Sequence, residues 1–224
     1  MTEPSIVRDL PDRVANVLTY LINPLILPPV IVTLAAAHTG ASKGALWWIA
    51  LSSGLLYFLI PVGVLLYLMA QSKIQSLQIR ARERRLLPLV IGFGLALTAI
   101  PVIELGSGAS REIVEWITGC FAVNILILLL ITRGWKISLH VAGVVSLTAF
   151  LWWIASHVSA GETAGLRLTI SGALATFILT PLMMWSRLRT GAHTITQVIA
   201  GAAFGAIVPL AELYILQALK LFPS

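Results

Sequence analysis

LWWIALSSGLLYFLIPVGVLLYLMA, residues 46–70, contains no charged side chain. A helix that crosses the hydrocarbon core of a bilayer needs about 20 apolar residues, and this stretch supplies them without interruption. The same pattern recurs on both sides of it. Candidate spans are Val17–Ala37, Leu46–Ala70, Leu86–Leu105, Ile113–Thr132, Leu139–Val158, Leu166–Trp185 and Thr194–Phe222. The first contains Pro24, Pro28 and Pro29, so it is kinked or partly interfacial, and the count is six or seven. The expected fold class is all-α: a polytopic membrane helix bundle of six or seven transmembrane helices.

Composition agrees. Of 224 residues, 58% are hydrophobic and 11% charged, and mean hydropathy is +0.94. A soluble globule cannot bury that much apolar surface, so lipid must solvate it. The expectation is a single membrane-embedded domain, 1–224, in a bilayer, expected to be a bacterial inner (plasma) membrane. Residues 1–13 mix acids and bases and do not read as a cleavable signal. Cys120 is the lone cysteine, so no intrachain disulfide exists. The net charge is +6. In a chain this apolar it points to anionic headgroups or phosphate, and no nucleic-acid partner is expected.

Loop parity sorts the cations. With seven spans, the N-terminus and the second, fourth and sixth loops share one face. That face holds Arg8, Arg13, Lys73, Arg80, Arg82, Arg84, Arg85, Arg133, Lys136, Arg187 and Arg189, which is 11 of 15 basic residues. The positive-inside rule assigns it to the cytoplasm. The opposite face carries Lys43, Arg111, Arg167 and Lys220. The pairs Trp47–Trp48 and Trp152–Trp153 suit interfacial belts, and Trp116, Trp135 and Trp185 also fall near span ends.

Two of the four histidines, His140 and His193, lie on the cation-rich face, each at the start of a span. His140 follows Lys136-Ile137-Ser138-Leu139, and His193 follows Ser186-Arg187-Leu188-Arg189-Thr190-Gly191-Ala192. Three distant loops would therefore meet: one rich in arginine, one with Lys-x-Ser-x-His, one with Ser-Arg and a histidine. This chemistry suits a phosphate monoester. Guanidinium forks match phosphate oxygens, and lysine adds a point charge. A neutral imidazole can attack phosphorus while a protonated one donates to the leaving oxygen. No His/Cys/carboxylate cluster has metal-ligand spacing, so no metal or other cofactor is expected, and the cations would neutralise the phosphoryl group.

Ser186-Arg187-x5-His193 resembles the third motif of the type 2 phosphatidic acid phosphatase superfamily, Ser-Arg-x5-His. That superfamily includes lipid phosphate phosphatases and shares its site with vanadium haloperoxidases. Ile137-Ser138-Leu139-His140 is similar to the second motif, Pro-Ser-Gly-His. Arg80 to Pro88, RARERRLLP, loosely echoes the first, Lys-x6-Arg-Pro. The resemblance runs from the second span to the end. It implies a phosphatase acting on a lipid phosphate or polyprenyl (di)phosphate through a phosphohistidine. His193 would be the nucleophile and His140 the proton donor to the leaving group. Arg187, Ser138 and one or two of Arg82, Arg84 and Arg85 would grip phosphate. Lys136 joins them by position alone. The sequence departs from the family at three points. Gln197 stands where the family places an aspartate, Leu139 replaces the glycine of the second motif, and the first motif lacks Arg-Pro. Gln197 shares a helix face with His193 and can fix its tautomer, but brings no negative charge.

A loop histidine at a membrane surface ordinarily has no catalytic role, and His38 and His157 are read that way. The arginine-rich loop reads equally as a topology determinant. Two rival functions follow: a phospholipid-binding pseudo-enzyme, favoured by Gln197 and Leu139, and a small transporter or quinone-type binder built on Glu212, an acid deep in the last span. Glu104 and Glu115 lie near span ends. The small residues from Ala200 to Ala206 suit close helix packing. A prenyltransferase is disfavoured, because aspartate-rich magnesium-binding repeats are absent.

Overall fold

The computed structural model of the protein describes residues 9–74, 79, 81–157 and 162–219. Arg8, Arg80 and Lys220 lie outside the described residues. The architecture is all-helical. Among the described residues six helices are long and apolar enough to cross a membrane: α3 Lys43–Ala70, α4 Glu83–Glu104, α5 Gly108–Gly134, α6 Leu139–His157, α7 Glu162–Arg189 and α8 Ile195–Ala218. Two shorter helices precede them, α1 Leu10–Leu21 and α2 Leu27–His38.

The first candidate span, Val17–Ala37, is therefore not one helix. Asn23 precedes Pro24, which disfavours helical backbone at Asn23. The Asn23 side chain instead accepts from the Leu25 amide at 3.0 Å, a local turn. Pro28 then sits in the first turn of α2, where a missing N–H does no harm. In α1, Leu10, Val14, Val17 and Leu21 are exposed, whereas Ala15 and Thr19 are buried. The apolar stripe faces away from the bundle and the small polar stripe faces in, as expected for a helix at a lipid interface.

Prolines shape the long helices too. In α3 a π-turn, Leu55–Leu59, precedes Pro61, and in α7 a π-turn, Ala175–Leu179, precedes Pro181. Widening the turn removes the clash between the proline ring and the carbonyl four residues back. Apolar side chains such as Leu51, Leu59, Phe177 and Ile207 are more than half exposed. Such surface is stable only against lipid.

Successive long helices are antiparallel, so residues 71–74, 81–82, 134–139 and 189–194 lie at one end of the bundle, here termed the loop face. At the opposite face, Thr39 donates to Ser110 at 2.9 Å and Ser110 donates to the Ala36 carbonyl at 3.2 Å. Arg111 pairs there with Glu104. Trp48 donates to the Val102 carbonyl at 3.0 Å. Trp153 departs from the belt reading. It is 2% exposed and packs into the core, while its neighbour Trp152 faces outward.

The tightest seam joins α6 to α8. A Cβ on Gly201 would lie 2.6 Å from the Ser138 carbonyl oxygen, and one on Gly205 would lie 2.3 Å from that of Ala142. Only glycine allows the two backbones to approach so closely. The run from Ala200 to Ala206 thus packs helices, as its composition suggested. This seam brings the start of α6, with Ser138 and His140, against the start of α8, with His193 and Gln197.

Candidate functional site at the loop face

The Ser-Arg-x5-His spacing corresponds to a helix end followed by a helix start. Helix α7 closes on Thr190, and Gly191 takes φ +62°. The Ala192 amide returns to the Arg187 carbonyl at 3.2 Å and the Gly191 amide to Leu188 at 3.0 Å. This paired closure needs a left-handed residue at 191, which glycine supplies. Helix α8 then begins with a capping box, in which Thr194 Oγ1 accepts from the Gln197 amide at 3.4 Å and Gln197 Oε1 accepts from the Thr194 amide at 3.3 Å. The turn carries His193 back over the end of α7.

Gln197 Oε1 also lies 3.1 Å from His193 Nδ1. A carbonyl oxygen can only accept, so Nδ1 carries the proton and the Nε2 lone pair is free of it. His193 is 7% exposed. Burial, reinforced by Arg85, Lys136 and Arg187, pushes its pKa down to about 3, against a smaller upward pull from the Gln197 bond. The imidazole is thus neutral at any physiological pH, with one nitrogen tethered and the other presenting a lone pair.

Hydrogen bonds tie the three loops together. Arg82 Nη1 donates to the Gly134 carbonyl at 2.5 Å, and Arg85 Nη1 to that of Ile137 at 3.3 Å. Lys136 Nζ donates to the Ala192 carbonyl at 2.8 Å. The Ser138 amide donates to the Gln197 carbonyl at 3.1 Å. Arg85 also holds the Ile79 carbonyl at 2.7 Å and is 9% exposed, and Arg187 is 2% exposed. The charges of these two arginines bear on both imidazoles. Ser138 is fully buried, and its Oγ has no hydrogen-bond partner among the described residues.

Two of the candidate arginines stand apart from this group. Arg84 is exposed and makes no hydrogen bond or ion pair among the described residues. Arg82 straps the end of α5 and pairs with Glu83 at 3.3 Å, a structural use of its charge. Of the arginine-rich loop, Arg85 is the residue that turns inward. The Ser186 hydroxyl turns to α1: it donates to the Ala15 carbonyl at 2.6 Å and lies 2.8 Å from Thr19 Oγ1.

A cavity of about 270 Å³ opens beside the group. Arg85, His140, Arg187 and Thr19 line its polar end, and mostly apolar residues of α2 to α6, α8 and the α1–α2 linker line the rest, with Tyr57 and Asn124 among them. His193, Ser138, Lys136 and Gln197 do not border it. Arg85, Arg187 and His140 border the cavity, and the charges of both arginines bear on the buried His193.

Thr19 is the site residue that motif reading misses. It is 1% exposed, and its Oγ1 accepts from Arg187 Nη1 at 3.0 Å. Its only sequence signal is the i, i+4 pair Ala15 and Thr19, small and polar opposite an apolar stripe. Comparison with known protein families, curated proteins and solved structures found no match for this chain.

Proposed function

We propose that this protein is a metal-independent integral membrane phosphatase that hydrolyses a lipid phosphate or polyprenyl (di)phosphate. His193 Nε2 attacks phosphorus and forms an N–P bond as the bond to the leaving oxygen breaks. His140 gives that oxygen its proton, and the incoming phosphate supplies the negative charge that favours a protonated imidazole beside it. Water then attacks phosphorus, returns a proton to His140, and releases inorganic phosphate and free His193. Arg85 and Arg187 neutralise the phosphoryl oxygens, and Lys136 contributes a further charge. The hydrocarbon chain occupies the apolar part of the cavity. The cation-rich loops are proposed to face the cytoplasm.

One observation carries this reading. A neutral imidazole, tethered at Nδ1 by Gln197, sits within electrostatic reach of two buried arginines and a lysine, and Arg85 and Lys136 are themselves bonded to neighbouring loops. The decisive measurement is phosphate release from a panel of lipid phosphates in the presence of EDTA. Release that disappears in His193→Ala supports the mechanism, and an unchanged rate in that variant rejects it.

The second reading, a lipid-binding pseudo-enzyme, is favoured by Thr19, which occupies Arg187 Nη1 in place of a phosphate oxygen. It expects no turnover in the wild type, and binding of lipid phosphates that does not require His193.

A further inference from the structure

The far wall of the cavity carries polar groups that the proposed chemistry leaves unused. Tyr57, in the π-turn of α3, and Asn124, within α5, both border the cavity. They are 4% and 8% exposed. Asn124 Nδ2 donates to the Cys120 carbonyl at 2.7 Å and to Glu212 Oε2 at 2.8 Å. Both amide hydrogens are therefore engaged by oxygens, which fixes the amide orientation. Among the described residues Asn124 Oδ1 has no partner, and neither has the Tyr57 hydroxyl. Phe121, one turn before Asn124, packs edge-on against Tyr57 with ring centroids 5.7 Å apart, so the two polar groups belong to the same stretch of wall.

Leaving a polar group buried and unpaired is unfavourable, and such groups in a native protein usually await water or a ligand. Here one atom is a bare acceptor and the other a hydroxyl with its donor unused. A ligand hydroxyl placed between them would satisfy both, accepting from Tyr57 and donating to Asn124. Asn124 lies ten residues before Gly134, the loop-face end of α5. At about 1.5 Å per residue it sits about 15 Å below the phosphate-binding loops.

We propose that Tyr57 and Asn124 form a chain-recognition subsite for lipid phosphates whose hydrocarbon chain carries a hydroxyl about 15 Å from phosphorus. Glu212 and the Cys120 carbonyl hold Asn124 in place for this role. The proposal names a substrate class for the site above and rests on that reading.

The test compares dodecyl phosphate with dodecyl phosphate bearing a terminal hydroxyl. Affinity is read from ligand-induced thermal stabilisation of the full-length protein in detergent, which needs no turnover. Phosphate release is assayed in parallel. The wild type should bind the hydroxylated ligand about 3- to 10-fold more tightly, the worth of one or two net hydrogen bonds. Tyr57→Phe, which preserves the ring packing, should lose that preference, and Asn124→Leu should do the same if it folds. Equal affinities in the wild type overturn the subsite, as does a preference that survives Tyr57→Phe. A chain preference without phosphate release rejects the phosphatase and leaves the subsite standing. Release without chain preference rejects the subsite alone, and failure to bind either ligand rejects both.

Discussion

Two seams deliver residues to the loop face, and they are built differently. At the α6–α8 seam, backbone meets backbone: Gly201 and Gly205 admit the carbonyls of Ser138 and Ala142, and the Ser138 amide bonds the Gln197 carbonyl. At the α1–α7 seam the bonds run through side chains. Ser186 reaches Ala15 and Thr19, Arg187 reaches Thr19, and Arg189 reaches Asp12. Backbone contacts of the first kind have one arrangement. Side-chain bonds of the second kind can be exchanged one at a time for water or a ligand. The first seam is thus suited to fix the two histidines, and the second to cover Arg187 and yield.

The largest effect should come from breaking the first seam. Gly205→Ala gains up to about 1 kcal/mol of helix propensity, but its Cβ meets a carbonyl oxygen at 2.3 Å, and such overpacking is unfavourable by about 1–3 kcal/mol. The clash should win. Thermal unfolding in detergent should show destabilisation, and phosphate release should be lost with it. A more stable Gly205→Ala protein would show that the seam is not rigid.

Gln197→Asp changes the chemistry of that seam without opening it. In the wild type, His193 resists protonation until about pH 3, whereas an unfolded-chain histidine takes a proton near its ordinary pKa of 6.5. Between those values the unfolded state binds more protons, so His193 contributes stability above pH 6.5 that is lost as pH falls toward 3. A carboxylate at Nδ1 raises an imidazole pKa by about 1–3. The acid loss of stability should shrink in Gln197→Asp, while the acid limb of the rate profile should move to higher pH as the nucleophile protonates more readily. Profiles that coincide would mean that His193 does not feel residue 197.

Much of the architecture was legible in the sequence because lipid imposes a length. Leu46–Ala70 and Leu139–Val158 fall close to α3 and α6, since an uncharged run of that size has one stable solution. Val17–Ala37 failed as a single span because hydropathy averages over Asn23 and Pro24, whose effect is conformational. The histidines and Arg187 were visible through their spacing, which encodes the Gly191 turn and the Thr194 cap. Thr19, Tyr57 and Asn124 were not visible. Thr19 and Asn124 meet partners distant in the chain, Tyr57 is a lone hydroxyl in an apolar run, and no local pattern marks any of them. Arg82, Arg84 and Arg85 are alike in sequence, and tertiary contacts alone separate the inward Arg85 from the other two.

Thr19→Val sharpens the comparison from the other side. The substitution keeps the shape and removes the oxygen that accepts from Arg187 and faces Ser186. Unpairing groups this buried should reduce stability by about 1–3 kcal/mol. Phosphate release should persist or rise, because a competitor for the Arg187 fork has gone. Loss of activity without loss of fold would instead make Thr19 a positioning residue for Arg187, and the second seam as fixed as the first.

The smallest effect should come from Asp12→Asn, at the outer edge of the α1–α7 seam. Arg189 Nε donates to Asp12 Oδ1 at 2.6 Å, and its Nη2 lies 3.9 Å from Asp9 Oδ2. The Arg189 side chain is 43% exposed, so water and salt compete for both partners. Exposed pairs of this kind contribute less than about 1 kcal/mol. An asparagine oxygen can still accept the hydrogen bond, so the neutral variant loses only the Coulombic part. Thermal unfolding should shift slightly at low salt, and the difference should vanish near 1 M salt, where screening acts over about 3 Å. A shift as large as that of Gly205→Ala, or one that persists in high salt, would mean that α1 is locked by this pair. The contrast between a fixed seam and a yielding one would then have to be abandoned.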